Sequence, residues 1–508
     1  MRKFTLFLAS LFLTVGVMAQ TLVEYKIVTS GDGITGVLSR TDTGSSSSWK
    51  DLFTYTTTDA NPALLKLQVT RESNSTYRFD MTTYNDGLVI ATGGNTNPTT
   101  YTLSVPEPYR IASYSFSIVA SNSTNTITPV HGKGDVVATS KTETKVFSVT
   151  DINLASAAFT LEGTNNNQNV TNFVVKVYNN LENKYITLQC VNGEKYLTST
   201  IGTTSDCRRL VMNANEKDVF FYTGNALLSY TEGKYMKVSA KGQRYEMYWD
   251  EIGVETPVAI GIQQNGDAMY SVTLGNKNEF VNNTTGGYRY LHGTNSYTDS
   301  GTSASLPTDN GYKWYVKEVT SLPVTITAAK YATFYAPVAV TFPAGVTAHT
   351  VTINGEWATL SEALTVIPAN TGVVLYANVE EATTYNFDIT EDVEAVEGNA
   401  LRGSAAATYY TTAGTYYALG LVDGKVGFYK DAFNSSRFQN NSHKAYLYVE
   451  GTQNTASYSF RFGEGTTAIE NVEVENEVKA IYDRTGRRVE AITAPGIYIV
   501  GGKKVLVK

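Results

Sequence analysis

Between residues 184 and 319 one short phrase occurs three times: Gly-Glu-Lys-Tyr-Leu at 193–197, Gly-Lys-Tyr-Met at 233–236 and Gly-Tyr-Arg-Tyr-Leu at 287–291. Its tyrosines, Tyr196, Tyr235 and Tyr290, lie 39 and 55 positions apart. Each phrase follows a strand-like run: YITLQ (185–189), NALLSY (225–230) and MYSVTL (269–274). Each is followed in turn by a large aromatic: Phe220, Trp249 or Trp314. A repeat of this length is one supersecondary unit that cannot bury its apolar face alone. Three of them are therefore expected to pack around one shared core, with KWYVKEV (313–319) closing the arrangement.

The rest of the chain alternates in the same way. LLKLQV (64–69), TYRFDMTTY (76–84), SYSFSIV (113–119) and TNFVVKVY (171–178) read as strands, while GSSSS (44–48) and TGGNTNPTT (92–100) read as loops. The 35 tyrosines and 20 phenylalanines stand against 12 prolines, and no long stretch carries a helical period. Tyr and Thr favour the half-buried pleated surface, and Gly and Asn favour turns. An all-β, multidomain chain follows. Its expected parts are a β-sandwich at 20–178, the repeat domain at 180–320, a β module at 322–467 and a small C-terminal unit at 468–508. In the third part, IPANTGVVLYA (367–377) reads as a turn opened by Gly372 that feeds a buried strand.

The first residues point to export. Arg2 and Lys3 precede an apolar run from Phe4 to Met18, which ends at Ala19-Gln20. This is the pattern of a secretory signal peptide spanning residues 1–19, and the run is shorter than the ~20 residues that span a bilayer. No later stretch is long and apolar enough to cross a membrane, so the mature chain is expected without a transmembrane segment, secreted or on the outer cell surface. The net charge of −7 becomes −9 once Arg2 and Lys3 are removed, which disfavours nucleic acid as a partner. Cys190 and Cys207 are the two cysteines. They either close a small loop, a bond contributing about 3 kcal/mol, or remain free thiols.

Catalytic constellations are not legible. His131, His292, His349 and His443 are far apart, and none sits in a metal-ligand spacing. There is no nucleophile elbow, phosphate-cradling loop or dinucleotide fingerprint. Nothing around Cys190 marks an activated thiol that His292 would serve as base. TDTGSSSSW (41–49), Asp86-Gly87 and Asp423-Gly424 read as surface turns. No enzyme activity, metal or cofactor is expected. Carbohydrate binding asks for less: an aromatic for the apolar sugar face and a few convergent polar groups. The third repeat offers Tyr288, His292 and Asn295, and the second offers Arg244 and Tyr248. Tyr196, Tyr235, Tyr290, Trp249 and Trp314 recur with the repeat and are expected in the core.

These residues carry three resemblances. Residues 184–319 resemble the ricin-type β-trefoil lectins, a family that binds sugars in shallow pockets on three lobes, although the family's Q-x-W signature is not present. Leu322-Pro323, YATFYAPVAV (331–340), IPANTGVVLYA and KAYLYV (444–449) resemble a module found near the C-termini of exported Bacteroidetes proteins. The ending, IYDRTGRRV (481–489), PGIYIV (495–500) and KKVLVK (503–508), is similar to the C-terminal sorting domains of the type IX secretion system. The matching positions are Tyr482, Asp483, Gly486, Arg487, Val489, Gly496, Tyr498 and the final Lys508. That likeness implies the outer-membrane secretion machinery as a partner. The expectation is thus an exported, non-catalytic surface protein that binds a glycan or polysaccharide. The alternatives are a glycosidase-related, sialidase-like accessory protein, or a structural surface protein or protein adhesin.

Overall fold

In the computed structural model the described residues are the strands Val23–Ile27, Gly36–Arg40, Lys50–Thr57, Lys66–Glu72 and Leu88–Ala91, then 98–462 except 106, 121–123, 164–166, 205–206, 242–243, 253–256, 282–286, 411–414, 431–436 and 452–453, and the C-terminal strands Ile481–Asp483, Arg488–Val489, Gly496–Val500 and Lys503–Val507. The signal segment 1–19, the expected strand 76–84, the turns at 41–49 and at Asp86-Gly87, and Gly486, Arg487 and Lys508 lie outside them. Every described element is a β-strand apart from one 3-10 turn, Asn310–Tyr312. The protein is all-β, built from several sheets. No helix among the described residues is long and apolar enough to cross a membrane.

Two units are distinguished. The first holds Met1–Leu322 with the short segments Ser404–Tyr409 and Gln439–His443. It begins with two antiparallel sheets. One contains Val23–Ile27, Asn167–Asn179, Tyr109–Ala120 and Lys145–Val149, and the other runs from Gly36–Arg40 through Thr99–Ser104 and Ser156–Gly163 to Val137–Ala138. Alternation sets the burial: from Tyr114 to Ala120 the buried residues are Tyr114, Phe116, Ile118 and Ala120, one face of the pleat, and Ile111 is buried beyond a shift of register. Phe116 of one sheet meets Phe159 of the other at 5.2 Å between ring centroids, so an aromatic core fills the space between them.

Twelve strands follow. They are β1 (Lys184–Cys190), β2 (Tyr196–Thr204), β3 (Cys207–Asn213), β4 (Phe220–Tyr222), β5 (Leu227–Ser229), β6 (Met236–Lys241), β7 (Arg244–Trp249), β8 (Ile260–Gln264), β9 (Tyr270–Leu274), β10 (Tyr288–Gly293), β11 (Thr298–Ser303) and β12 (Trp314–Glu318). β1 pairs with β4 and with β12, β4 with β5, β8 with β9, and β9 with β12. The pairs β2–β3, β6–β7 and β10–β11 are antiparallel hairpins. The closing run at 313–319 thus lies beside the first strand, with Cys190 opposite Trp314.

The repeated phrase explains this core. Its apolar ends, Leu197, Met236 and Leu291, are each at most 1 % exposed and belong to one cluster with Phe220, Trp249 and Trp314. Phe220 stacks on Trp249 at 5.6 Å. Both indoles keep their N–H satisfied, Trp249 donating to the Ser199 carbonyl at 2.7 Å and Trp314 to the Leu291 carbonyl at 3.2 Å. Tyr290 is buried, whereas Tyr196 and Tyr235 are half-buried at the rim.

The second unit holds Pro323–Gly403, Tyr410–Phe438 and Lys444–Lys508. Val373–Ala377 is a central strand between Tyr331–Phe334 and Val346–His349. The turn before it differs from the sequence expectation. Asn370 takes the left-handed conformation (φ 58°), which Asn tolerates through its short polar side chain. Gly372 serves instead for close approach: a Cβ there would lie 3.0 Å from the Ala445 methyl and 3.1 Å from Leu401 Cβ. At the C-terminus Gly496–Val500 and Lys503–Val507 pair antiparallel with Val500 opposite Lys503, the register of a two-residue hairpin loop.

The shared core yields a stability prediction. Trp314→Ala empties a fully buried site and is expected to destabilise the first unit by about 3–5 kcal/mol. Trp357→Ala, at a side chain 41 % exposed, is expected to cost under about 0.5 kcal/mol. Urea unfolding of the full chain measures both, and equal effects would contradict the assignment of Trp314 to the core.

Candidate binding site

The hairpins β2–β3, β6–β7 and β10–β11 are stitched to one another by polar bonds. Leu210 N–H donates to Thr298 Oγ1 at 3.1 Å, and Met212 N–H to the Ser296 carbonyl at 2.9 Å, joining the first hairpin to the third. Arg209 donates to the Tyr245 carbonyl, joining the first to the second. Glu246 accepts from the Arg208 backbone N–H at 3.1 Å and from its guanidinium at 3.0 Å, and Lys241 lies 3.3 Å away. Gly202, opposite Arg209 in the hairpin register, lets Tyr297 cover the strand, since a Cβ there would sit 2.4 Å from the ring.

A cavity of about 410 Å³ opens where these hairpins meet. Each hairpin sends one arginine to its wall: Arg209 from β3, Arg244 from β7 and Arg289 from β10. Tyr245 and Tyr297 also line it, and Asp299 is the one carboxylate among the described lining residues. Hydroxyls come from Thr204, Thr294, Thr298 and Ser300. Arg209 is 7 % exposed and lies 3.5 Å from Asp299. Arg289 is equally buried; it donates to the Phe280 carbonyl at 2.6 Å and the Ser300 hydroxyl at 3.0 Å and covers the Tyr245 ring, 3.6 Å from the guanidinium carbon to the centroid, with Asp299 attracting its charge. Burial pushes its guanidinium below the ordinary arginine range.

The sequence candidates are only partly gathered here. Arg244 is exposed and lines the cavity. Tyr248 lies under the Arg208 guanidinium, 3.3 Å from its centroid. Tyr288 is 7 % exposed, packs edge-on against Tyr290 at 6.4 Å and has its hydroxyl pushed up to about 12 by burial; it is a core side chain. His292 rests on Tyr312 at 4.4 Å, with Asp309 3.9 Å from its Nε2. Asn295 is exposed, and its carbonyl accepts from Lys195. Neither lines the cavity. Sequence reasoning passed over Arg209 and Arg289. A signal was available: Arg208, Arg209, Arg244 and Arg289 are the four arginines between residues 180 and 320, and all four fall in hairpin strands.

The cysteines take the second of their two alternatives. Cys190 and Cys207 are buried and unbonded. Cys190 ends β1 opposite Trp314, whereas Cys207 begins β3 opposite Thr204. The Cys190 sulfur faces the carbonyls of Gly293, Asn310 and Gly311 at 3.6–3.9 Å. Gly293 makes room for it, because a Cβ there would lie 2.6 Å from the sulfur. Burial pushes this thiol up, the reverse of nucleophilic activation. Among the described residues no group of three or more His, Cys, Asp or Glu side chains is placed to hold a metal ion.

Glu246 gives the site a pH signature. Its hydrogen bond from Arg208 holds the carboxyl at about 2, against an ordinary 4.5. A depressed carboxyl contributes stability above its unfolded pKa, and that contribution is lost as pH falls through the folded one. Stability should therefore fall between pH about 4.5 and about 2. Glu246→Gln is expected to lower Tm at pH 7 and to flatten Tm across that window. Parallel Tm profiles for the two proteins would refute the ion pair.

No protein-family model matches the chain, and no curated protein matches it. Among solved structures, a complex of lysenin with phosphocholine is similar over 60% of this chain and 99% of its own, at 15% identity and a TM-score of 0.19. A score this low carries neither a fold nor a ligand across to this chain.

Proposed function

We propose that the protein is a non-catalytic glycan-binding protein of the cell exterior and that the cavity between the three hairpins is its binding site. The observation that carries this reading is the make-up of the cavity. Its volume of about 410 Å³ falls in the range that encloses a small ligand. Two tyrosine rings flank a wall of hydroxyl and guanidinium groups, the combination that meets both the apolar and the hydroxyl faces of a sugar. The pairing of β1 to β12, with β5, β4, β1, β12, β9 and β8 in one hydrogen-bonded path and three hairpins beside it, supports a β-trefoil of the lectin kind.

The test is a glycan array probed with the full chain from residue 20 onward. Retention of a defined saccharide subset is expected, with binding weakened about tenfold or more by Arg244→Ala. A folded protein that retains no saccharide would overturn the proposal and favour the protein-adhesin alternative.

A further inference from the structure

Trp249 and Trp314 are buried with their indole N–H groups satisfied. Trp357 is the opposite case. It is 41% exposed, and among the described residues its ring meets no other ring and its N–H no acceptor. It stands on the seven-stranded sheet of the second unit, and strand register fixes its surroundings. Asn354 lies opposite it in the hairpin of Val351–Asn354 and Trp357–Leu360, and Ser459 lies opposite it on Ser457–Phe462. Gly427 of Lys425–Lys430 is opposite Ser459, and Gly420 of Thr415–Val422 is opposite Gly427. Paired residues share a face of the sheet, so these five form one row across it. The glycines keep the row low, and Tyr429 uses the space: a Cβ on Gly420 would lie 3.2 Å from its ring, and one on Gly427 3.7 Å. The Tyr429 hydroxyl is tied down to the Lys425 carbonyl at 2.8 Å. Trp357 and Gly427, beside the Tyr429 ring, are two strand spacings apart, roughly 10 Å.

The row is not an apolar patch. Asn354 and Ser459 are exposed, and the exposed Arg461 is aimed along the same face by its bond to Thr359 Oγ1 at 3.2 Å. A protein partner with an apolar contact surface would bury this amide, hydroxyl and guanidinium unpaired. A sugar chain meets both kinds of group, its C–H faces on the rings and its hydroxyls on the polar side chains. We infer that this sheet face is a second glycan site, which takes an extended β-linked polysaccharide laid across the strands from Trp357 to Tyr429. It shares no residue with the hairpin cavity and does not rest on the reading of that cavity. The row is open at both ends, so it accepts an internal stretch of a flat, ribbon-like chain, whereas a coiled α-linked chain does not keep successive rings in one plane.

Native affinity electrophoresis of the full chain from residue 20 tests this, with mixed-linkage β-glucan as the probe and pullulan, a flexible α-glucan, as the comparison. Retardation by the β-glucan alone is expected, with Trp357→Ala raising the dissociation constant about tenfold or more. An exposed side chain contributes little to folding, so the variant reads binding, and an unchanged Tm checks this. Leu421→Ala, at a side chain 49% exposed on the pleat opposite to that of Gly420, should leave retardation unchanged. Retardation by both polysaccharides, or an equal loss on Leu421→Ala, would overturn the inference by reducing the effect to unselective adsorption. Retardation that survives Trp357→Ala would overturn it by placing the polysaccharide elsewhere, the hairpin cavity included. No retardation by either polysaccharide would overturn it in favour of a protein contact at Trp357, and would leave the cavity reading standing.

Discussion

The burial of Leu197, Met236 and Leu291 with Phe220, Trp249 and Trp314 is the interaction on which the site depends. These residues come from three stretches of chain that have no local reason to meet. Removing their apolar surface from water brings them together, at roughly 25 cal/mol per Å². Once they meet, the hairpins that carry them are fixed side by side, and the next residues along each hairpin are committed to a common rim. Arg209, Arg244 and Arg289 stand on that rim. The packing of the core thus forces cationic groups into proximity, although like charges repel. The tryptophan N–H groups find backbone acceptors inside the core, so its polar atoms are satisfied.

Electrostatics then divides the rim into two kinds of arginine. Arg208 is satisfied: it is bonded to the buried Glu246 and covers Tyr248, so its charge is spent on holding one hairpin to the next. Arg289 is held by a carbonyl, a hydroxyl and a ring, with Asp299 acting on its charge from the cavity lining. Asp299 moderates the field without cancelling it, since it is more than half exposed to solvent.

Much of the fold was legible because burial imposes a pattern on sequence. The Gly-Tyr-apolar phrase marked the strands whose ends enter the core, and the alternation in 113–119 marked one face of a sandwich strand. The bend at 367–373 was misassigned because Gly and Asn both tolerate a left-handed backbone; packing against Ala445 and Leu401 decided that the glycine was needed for space. The disulfide stayed open in the sequence because spacing does not fix direction, and the strand register sends the two thiols to different neighbours. The site was the least legible part. Tyr288 and His292 stood out as aromatic and polar groups in one repeat. The cavity is instead assembled from three repeats, by arginines that occupy different strands of their hairpins. Sequence distance hides such a set until the hairpins are placed.

The most direct measurement of the central claim is diffraction from crystals of the full chain soaked in a saccharide that the glycan array retains. The account predicts the sugar inside the hairpin cavity, against lining residues such as Arg244 and Tyr297. A saccharide bound elsewhere, with the cavity free of it, would contradict the claim that the three hairpins build the binding site.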